Sequence, residues 1–159
     1  MKPVVGAPRR AEARDIDPLA ALLAELLAHH AAIDPAFAVR RGARDRLPAL
    51  PARLIGDPCS AVFVCEAPDG LAGFCSVRLE RAPDLLAEAA RAEIGELGVA
   101  ATCRRRGLGR ALVEAACAWA RSRGAERVEA RVAARNAEGQ VFWRALGYEN
   151  FVDVLHRRL

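Results

Sequence analysis

Three stretches of this chain carry apolar residues at helical spacing. The first is Leu19, Leu22, Leu23, Leu26, Leu27 and His30; the second is Leu108, Ala111, Leu112, Ala115 and Trp119; the third is Val141, Phe142, Ala145 and Leu146. Each stretch has its own punctuation. Asp17-Pro18 predicts an N-cap followed by proline at the first helical position, and Asp34-Pro35 ends that helix. Gly124 closes the second helix, while Asn136 caps the third and Gly147 stands at its C-terminus. A further helical piece covers Ala43 to Ile55, interrupted by Pro48 and Pro51, and a short helical connection covers Pro83 to Arg91.

Between these lie strand patterns. Val4 to Ala11 is a weak first strand, broken by Gly6 and Pro8. Ala61 to Glu66 and Leu71 to Arg81 flank the turn Ala67 to Gly70 and predict a hairpin. Ala92 to Val99, Arg127 to Val132 and Phe151 to His156 are the remaining strands. Hairpin strands come first, then strand-helix-strand and helix-strand, which predicts an α/β or α+β domain with a mixed sheet. The 159 residues show no internal repeat, linker or low-complexity tract, so one domain spanning 1–159 is expected.

Composition narrows the function classes. The chain is 53% hydrophobic and 28% charged, the balance of a globular protein. A net charge of +4 suits a polyanionic small ligand. Basic residues interleaved with aromatics would suggest nucleic acid, but aromatics total only 5%, so no nucleic-acid role is expected. The five cysteines, Cys59, Cys65, Cys75, Cys103 and Cys117, form no C-x-x-C pair, and no His/Cys/Asp/Glu spacing suggests a metal. They read as small core residues of a reduced, cytoplasmic protein. The apolar run Leu19 to Ala28 is short and contains Glu25, so no membrane span is expected.

The chemistry concentrates in TCRRRGLGRALVEAACAWA, Thr102 to Ala120. Three arginines run into Gly-Leu-Gly as a helix begins. The first N–H groups of a helix have no internal partner, and the helix dipole adds partial positive charge there. Glycines let an anion approach the backbone, and Arg104, Arg105 and Arg106 add planar donors. The loop thus predicts a diphosphate cradle. It is not a P-loop, because Arg110-Ala111 stands where Lys-Ser or Lys-Thr would be required. It is not a dinucleotide fingerprint, because no third glycine stands near Leu112 and the unit is not the first βαβ of the chain.

AEIGELGV, four residues, then RRRGLG opening a helix resembles the central motif of the GNAT superfamily of N-acetyltransferases, Gln/Arg-x-x-Gly-x-Gly/Ala, matched by Arg104, Gly107 and Gly109. RVEARVAARNAEGQVFWRALGYENF is similar to that family's next strand, Asn-capped helix and closing strand. The resemblance implies a mixed, mostly antiparallel central sheet flanked by helices, with two central parallel strands splayed apart. It implies an acetyl-CoA-dependent N-acetyltransferase that moves acetyl to a primary amine by direct attack, with a small-molecule amine as partner and a homodimer as assembly. Leu97, Gly98 and Val99 would offer backbone to pantetheine. Arg104, Arg105, Arg106, Gly107, Leu108, Gly109 and Arg110 would hold the phosphates. Asn136 would lie near the pantetheine arm, and Trp143 would pack on it.

The reaction needs a base for the ammonium and an acid or none for the leaving thiolate. Glu93 and Glu96 are the candidate bases; strand alternation puts them on opposite faces, with Glu93 beside Leu97 and Val99 and Glu96 beside Ile94. Spacing back from Arg104 ranks Glu93 first. Trp143 stands where the family usually carries its tyrosine acid, and Trp has no labile proton to give. Tyr148, the only tyrosine, is the remaining catalytic candidate beside water. Two alternatives remain open: acetylation of a protein or peptide, and a CoA-binding sensor without turnover.

Overall fold

The computed structural model describes residues 5–88 and 90–157. Five strands form one sheet in the order β1-β2-β3-β4-β5. They are β1 (Arg9–Arg10), β2 (Ser60–Ala67), β3 (Gly70–Arg81), β4 (Ala90–Val99) and β5 (Arg127–Ala130). Neighbours pair antiparallel except β4 and β5, which are parallel. The helices are α1 (Ile16–Ile33), α2 (Ala49–Gly56), α3 (Leu108–Ser122) and α4 (Ala137–Ala145). The predicted mixed sheet with flanking helices is the observed one.

Alternation along β2 and β3 explains the two layers. Val62, Val64 and Phe74 meet Leu19, Leu22 and Leu23 of α1 on one face. Phe63, Cys65, Cys75 and Val77 meet Leu108, Leu112, Val113, Ala116 and Ala120 of α3 on the other. Leu112 is fully buried, so truncation to alanine there would cost about 2–5 kcal/mol. Ala13–Ile33 is long and apolar enough to cross a membrane by length and composition, with mean hydropathy 1.3. Leu19, Leu22 and Leu23 of this stretch pack on the sheet.

Several boundaries differ from the sequence expectation, among them the piece expected over Ala43 to Ile55, which becomes α2 behind a 3-10 turn at Arg44–Arg46. The first strand shrinks to Arg9–Arg10, and Val4 lies outside the described residues. The α1 helix begins at Ile16, so Asp17 and Pro18 sit inside its first turn, where proline is tolerated. Asp15 is the capping carboxylate of this corner: it accepts from the Glu12 N–H at 2.8 Å and is gripped by Arg9. The stretch Pro83 to Glu88 forms turns rather than a helix, and Ala90 and Arg91 already belong to β4; Ala89 lies outside the described residues. So few residues cannot offset helix nucleation without a packed face, and Leu85 and Leu86 are exposed. Finally, residues 151–157 have no regular structure, and β5 stops at Ala130 instead of Val132.

The Ala130 stop positions the site. Strand β4 pairs with β5 from Arg91↔Arg127 to Ile94↔Ala130 and then continues alone on that side to Val99. Beyond Ile94, β4 itself becomes the border of the sheet, beside the loop that leads into α3.

Candidate active site

Strand β4 carries a bulge where the two strands part. Cys75 pairs with Leu97 and Val77 with Ile94, so Gly95 and Glu96 together oppose Ser76. The extra residue resets the alternation. Ala92 and Ile94 face α3, and so do Leu97 and Val99 beyond the bulge. Glu93 and Glu96 therefore share the opposite face, which corrects the expectation that they diverge. Ile94, not Glu93, is the companion of Leu97 and Val99.

Both glutamates line one cavity of about 160 Å³, walled by Leu50, Arg53 and Leu54 of α2 and by Ser76, Val77 and Arg78 of β3. Glu96 also borders the apolar cleft between α1 and α2. Its carboxylate accepts a hydrogen bond from the Ser76 hydroxyl, and its own N–H donates to the same oxygen at 2.9 Å. Ser76 thus pins the bulge and the carboxylate together. Glu93 meets Arg131 at 3.6 Å. His30, near the end of α1, feels Glu96 electrostatically, yet burial, aided by His29, keeps its pKa below the usual value. Ser76 and Arg53 were not singled out from the sequence. The signals were there: a lone serine in GFCSV, and a glycine inside a strand, a frequent mark of a bulge.

Beyond the bulge, the free stretch of β4 runs from Gly95 toward the α3 N-terminus. Gly98 has no room for a side chain, since a Cβ would come within 2.6 Å of the Phe74 ring. The arginine loop enters α3 through two left-handed residues, Arg105 at φ 60° and Gly107 at φ 79°. No side chain caps the helix at Gly107, so its first N–H groups lack a capping partner. A side chain at Gly107 would project into open space, while one at Gly109 would come within 3.1 Å of Phe142 on α4. The bare backbone, its helix dipole and the arginines suit an oxyanion. Arg104 Nε donates to the Val99 carbonyl at 3.1 Å, Arg106 to the Thr102 carbonyl at 3.0 Å, and Arg110 to the Ala145 carbonyl at 3.3 Å. These bonds fold the loop around the end of β4.

The remaining candidates lie around α4. Asn136 accepts from the Gly139 N–H at 3.0 Å, so its carbonyl oxygen serves the predicted cap. Trp143 packs edge-on against Phe142 and Tyr148, with ring centroids 5.2 and 4.8 Å apart. The Tyr148 hydroxyl lies 3.6 Å from Cys117 Sγ on α3, and burial there pushes its pKa up. Among the described residues, no group of three or more His, Cys, Asp or Glu is placed to hold a metal ion.

A model of the acetyltransferase (GNAT) family matches residues 24–148. Among solved structures, a variant of the BH1408 protein from Bacillus halodurans aligns with a TM-score of 0.84 at 21% identity, covering 96% of this chain and 98% of that one. The aminoglycoside N-acetyltransferase AAC(6')-Iy in complex with CoA aligns with a TM-score of 0.79 at 17% identity, over 100% and 97%. A protein described as a predicted acetyltransferase with acetyl-CoA, from Clostridium acetobutylicum, gives 0.75 at 12%, over 98% and 96%. At such identities the likeness is one of fold. The curated proteins gave no match.

Proposed function

The chain belongs to the acetyltransferase (GNAT) family, and from that premise we propose that it is an N-acetyltransferase that moves the acetyl group of acetyl-CoA to a primary amine of a small molecule by direct attack. The observation that carries this reading is the gap in the sheet. From Gly95 to Val99, β4 has no strand partner on the β5 side among the described residues, and this free edge leads to the uncapped start of α3. A pantetheine arm has the amides to pair with Leu97, Gly98 and Val99, and the diphosphate has the N–H groups of Leu108, Gly109 and Arg110 with Arg104, Arg105 and Arg106 around them. Gly107 keeps that approach open. Asn136 and Trp143 would meet the pantetheine arm from the α4 side.

Glu96 is the residue we propose as general base. Its carboxylate is fixed by Ser76 at the bulge, where the thioester end of an arm paired along Leu97 to Val99 would arrive. Glu93 shares its carboxylate with Arg131 and assists by drawing the ammonium in. Tyr148 is a packing residue in this scheme, so the thiolate departs unprotonated or takes its proton from water. One observation favours the reading of a CoA-binding module without turnover: the only tyrosine hydroxyl is turned into α3 against Cys117. Turnover with any amine ends that alternative.

We take residues 1–159 as one acetyltransferase domain, cytoplasmic and homodimeric. The five cysteines are free thiols, which suits a reducing compartment. The exposed apolar side chains of Phe151, Val152, Val154 and Leu155 support a second copy as their cover.

Calorimetric titration with acetyl-CoA, at low and moderate salt, tests the cradle. Wild type binds saturably, and Gly107→Trp, which puts an indole into the open approach, does not. Absence of binding to wild type would reduce the loop to a turn and remove the cosubstrate from the scheme.

A further inference from the structure

Resting on the acceptor site proposed above, we infer that the amine carries an anionic group of its own, a carboxylate or comparable oxyanion, and that Arg53 recognises it. The charges lining the cavity lead there. Arg78 is paired with Glu80 at 3.0 Å, and Glu93 with Arg131 at 3.6 Å. Two charges remain. Among the described residues, the Glu96 carboxylate holds only the Ser76 hydroxyl and meets no cation within ion-pair distance. Arg53, on the exposed side of α2, makes no hydrogen bond or ion pair among the described residues.

A carboxylate and a guanidinium thus border one cavity without satisfying each other. A zwitterionic ligand completes both: its ammonium goes to Glu96, where it must lose a proton, and its anionic group goes to Arg53, whose fork matches a carboxylate or a phosphonate. Leu54 and Val77 supply an apolar wall between the two ends. The volume, about 160 Å³, accommodates a group of roughly benzene's size, so the spacer is short. The same arginine acts against polycationic amines. Arg53 lines the cavity, and a second ammonium would meet it as a like charge.

The test is steady-state turnover with acetyl-CoA, followed by release of the CoA thiol. The acceptors are leucine, leucine methyl ester, isoamylamine and the phosphonate analogue of leucine. Expected is a kcat/KM for leucine or its phosphonate at least tenfold above that for isoamylamine and for the ester. Whichever of the two is preferred identifies the anion as carboxylate or phosphoryl. In Arg53→Gln the ratio of the anionic acceptor to isoamylamine falls about tenfold, through KM, and Arg53→Lys restores part of it. Preference for the ester or for isoamylamine, or a ratio that Arg53→Gln leaves unchanged, overturns the inference. Saturable acetyl-CoA binding without turnover of any of the four also overturns it while leaving the cosubstrate reading intact. Failure of acetyl-CoA to bind brings down both.

Discussion

Glu93 and Glu96 turn their carboxylates to the same side of β4, although three positions separate them, because Gly95 and Glu96 together oppose the single residue Ser76. An unbroken strand would have sent one of them into the layer beneath α3. The bulge therefore brings two acids to one cavity and leaves the face toward α3 apolar.

From this geometry Glu96→Gln is expected to lower kcat about 10²–10⁴-fold with little change in acetyl-CoA affinity. Glu93→Gln should cost less than about tenfold and act mainly on KM for the amine. Equal losses in the two variants would argue against separate roles.

Gly98 lies against the Phe74 ring, with a virtual Cβ at 2.6 Å. Gly98→Ala should destabilise by about 1–3 kcal/mol, as overpacking does. Chemical denaturation measures this directly. A paired Gly98→Ala, Phe74→Leu variant should recover part of the loss, because the added methyl then has a shorter neighbour to displace.

Tyr148→Phe removes a hydroxyl whose partner is the Cys117 thiol, a weak hydrogen-bonding group. Turnover should stay within about threefold of wild type. A general acid would lose about 10²–10⁴-fold on the same change, so kcat separates packing from proton donation.

The grip of Arg9 on Asp15 is pH-dependent in a definite direction. Arg9 donates to both carboxylate oxygens, at 2.8 and 2.9 Å, and also to Glu66 on β2. The guanidinium holds the buried Asp15 carboxyl below the usual carboxylate range, against the opposing pull of burial. A depressed folded-state pKa stabilises above the unfolded value of about 3.9 and loses that contribution as pH falls through the folded pKa. Asp15→Asn should cost about 2–3 kcal/mol at neutral pH. The gap between the two proteins should narrow in urea titrations carried out progressively below about pH 4.

Much of this architecture is legible along the chain. The hairpin, the apolar face of α3 and the Asn136 cap are local patterns, and each appears where its residues predict. The splay followed from the resemblance rather than from periodicity. Other features depend on what is distant in sequence. Phe151 to His156 has the composition of a strand, but a strand needs an edge to pair with, and composition names no partner. Asp17-Pro18 looked like a helix start because proline suits the whole first turn; the corner was set one step earlier, where Asp15 meets Arg9 across β1. The bulge was hidden because alternation assumes one residue opposite one residue. Gly95 was the visible hint, and its consequence depends on the register with β3. Arg53 could not be chosen among the chain's many arginines until the fold brought α2 over Ser76.

The outer borders of the sheet are also informative. One border strand is only two residues long and consists of Arg9 and Arg10; the other, β5, is four residues long and carries Arg127 and Glu129. Short, charged edges discourage growth by strand addition and so protect against fibrillar self-association. The stretch of β4 left open on one side continues that border past the end of β5, next to the arginine loop. Among the described strands, hydrogen-bonding capacity for an extended guest is withheld at the short charged strands and concentrated on this one stretch of β4.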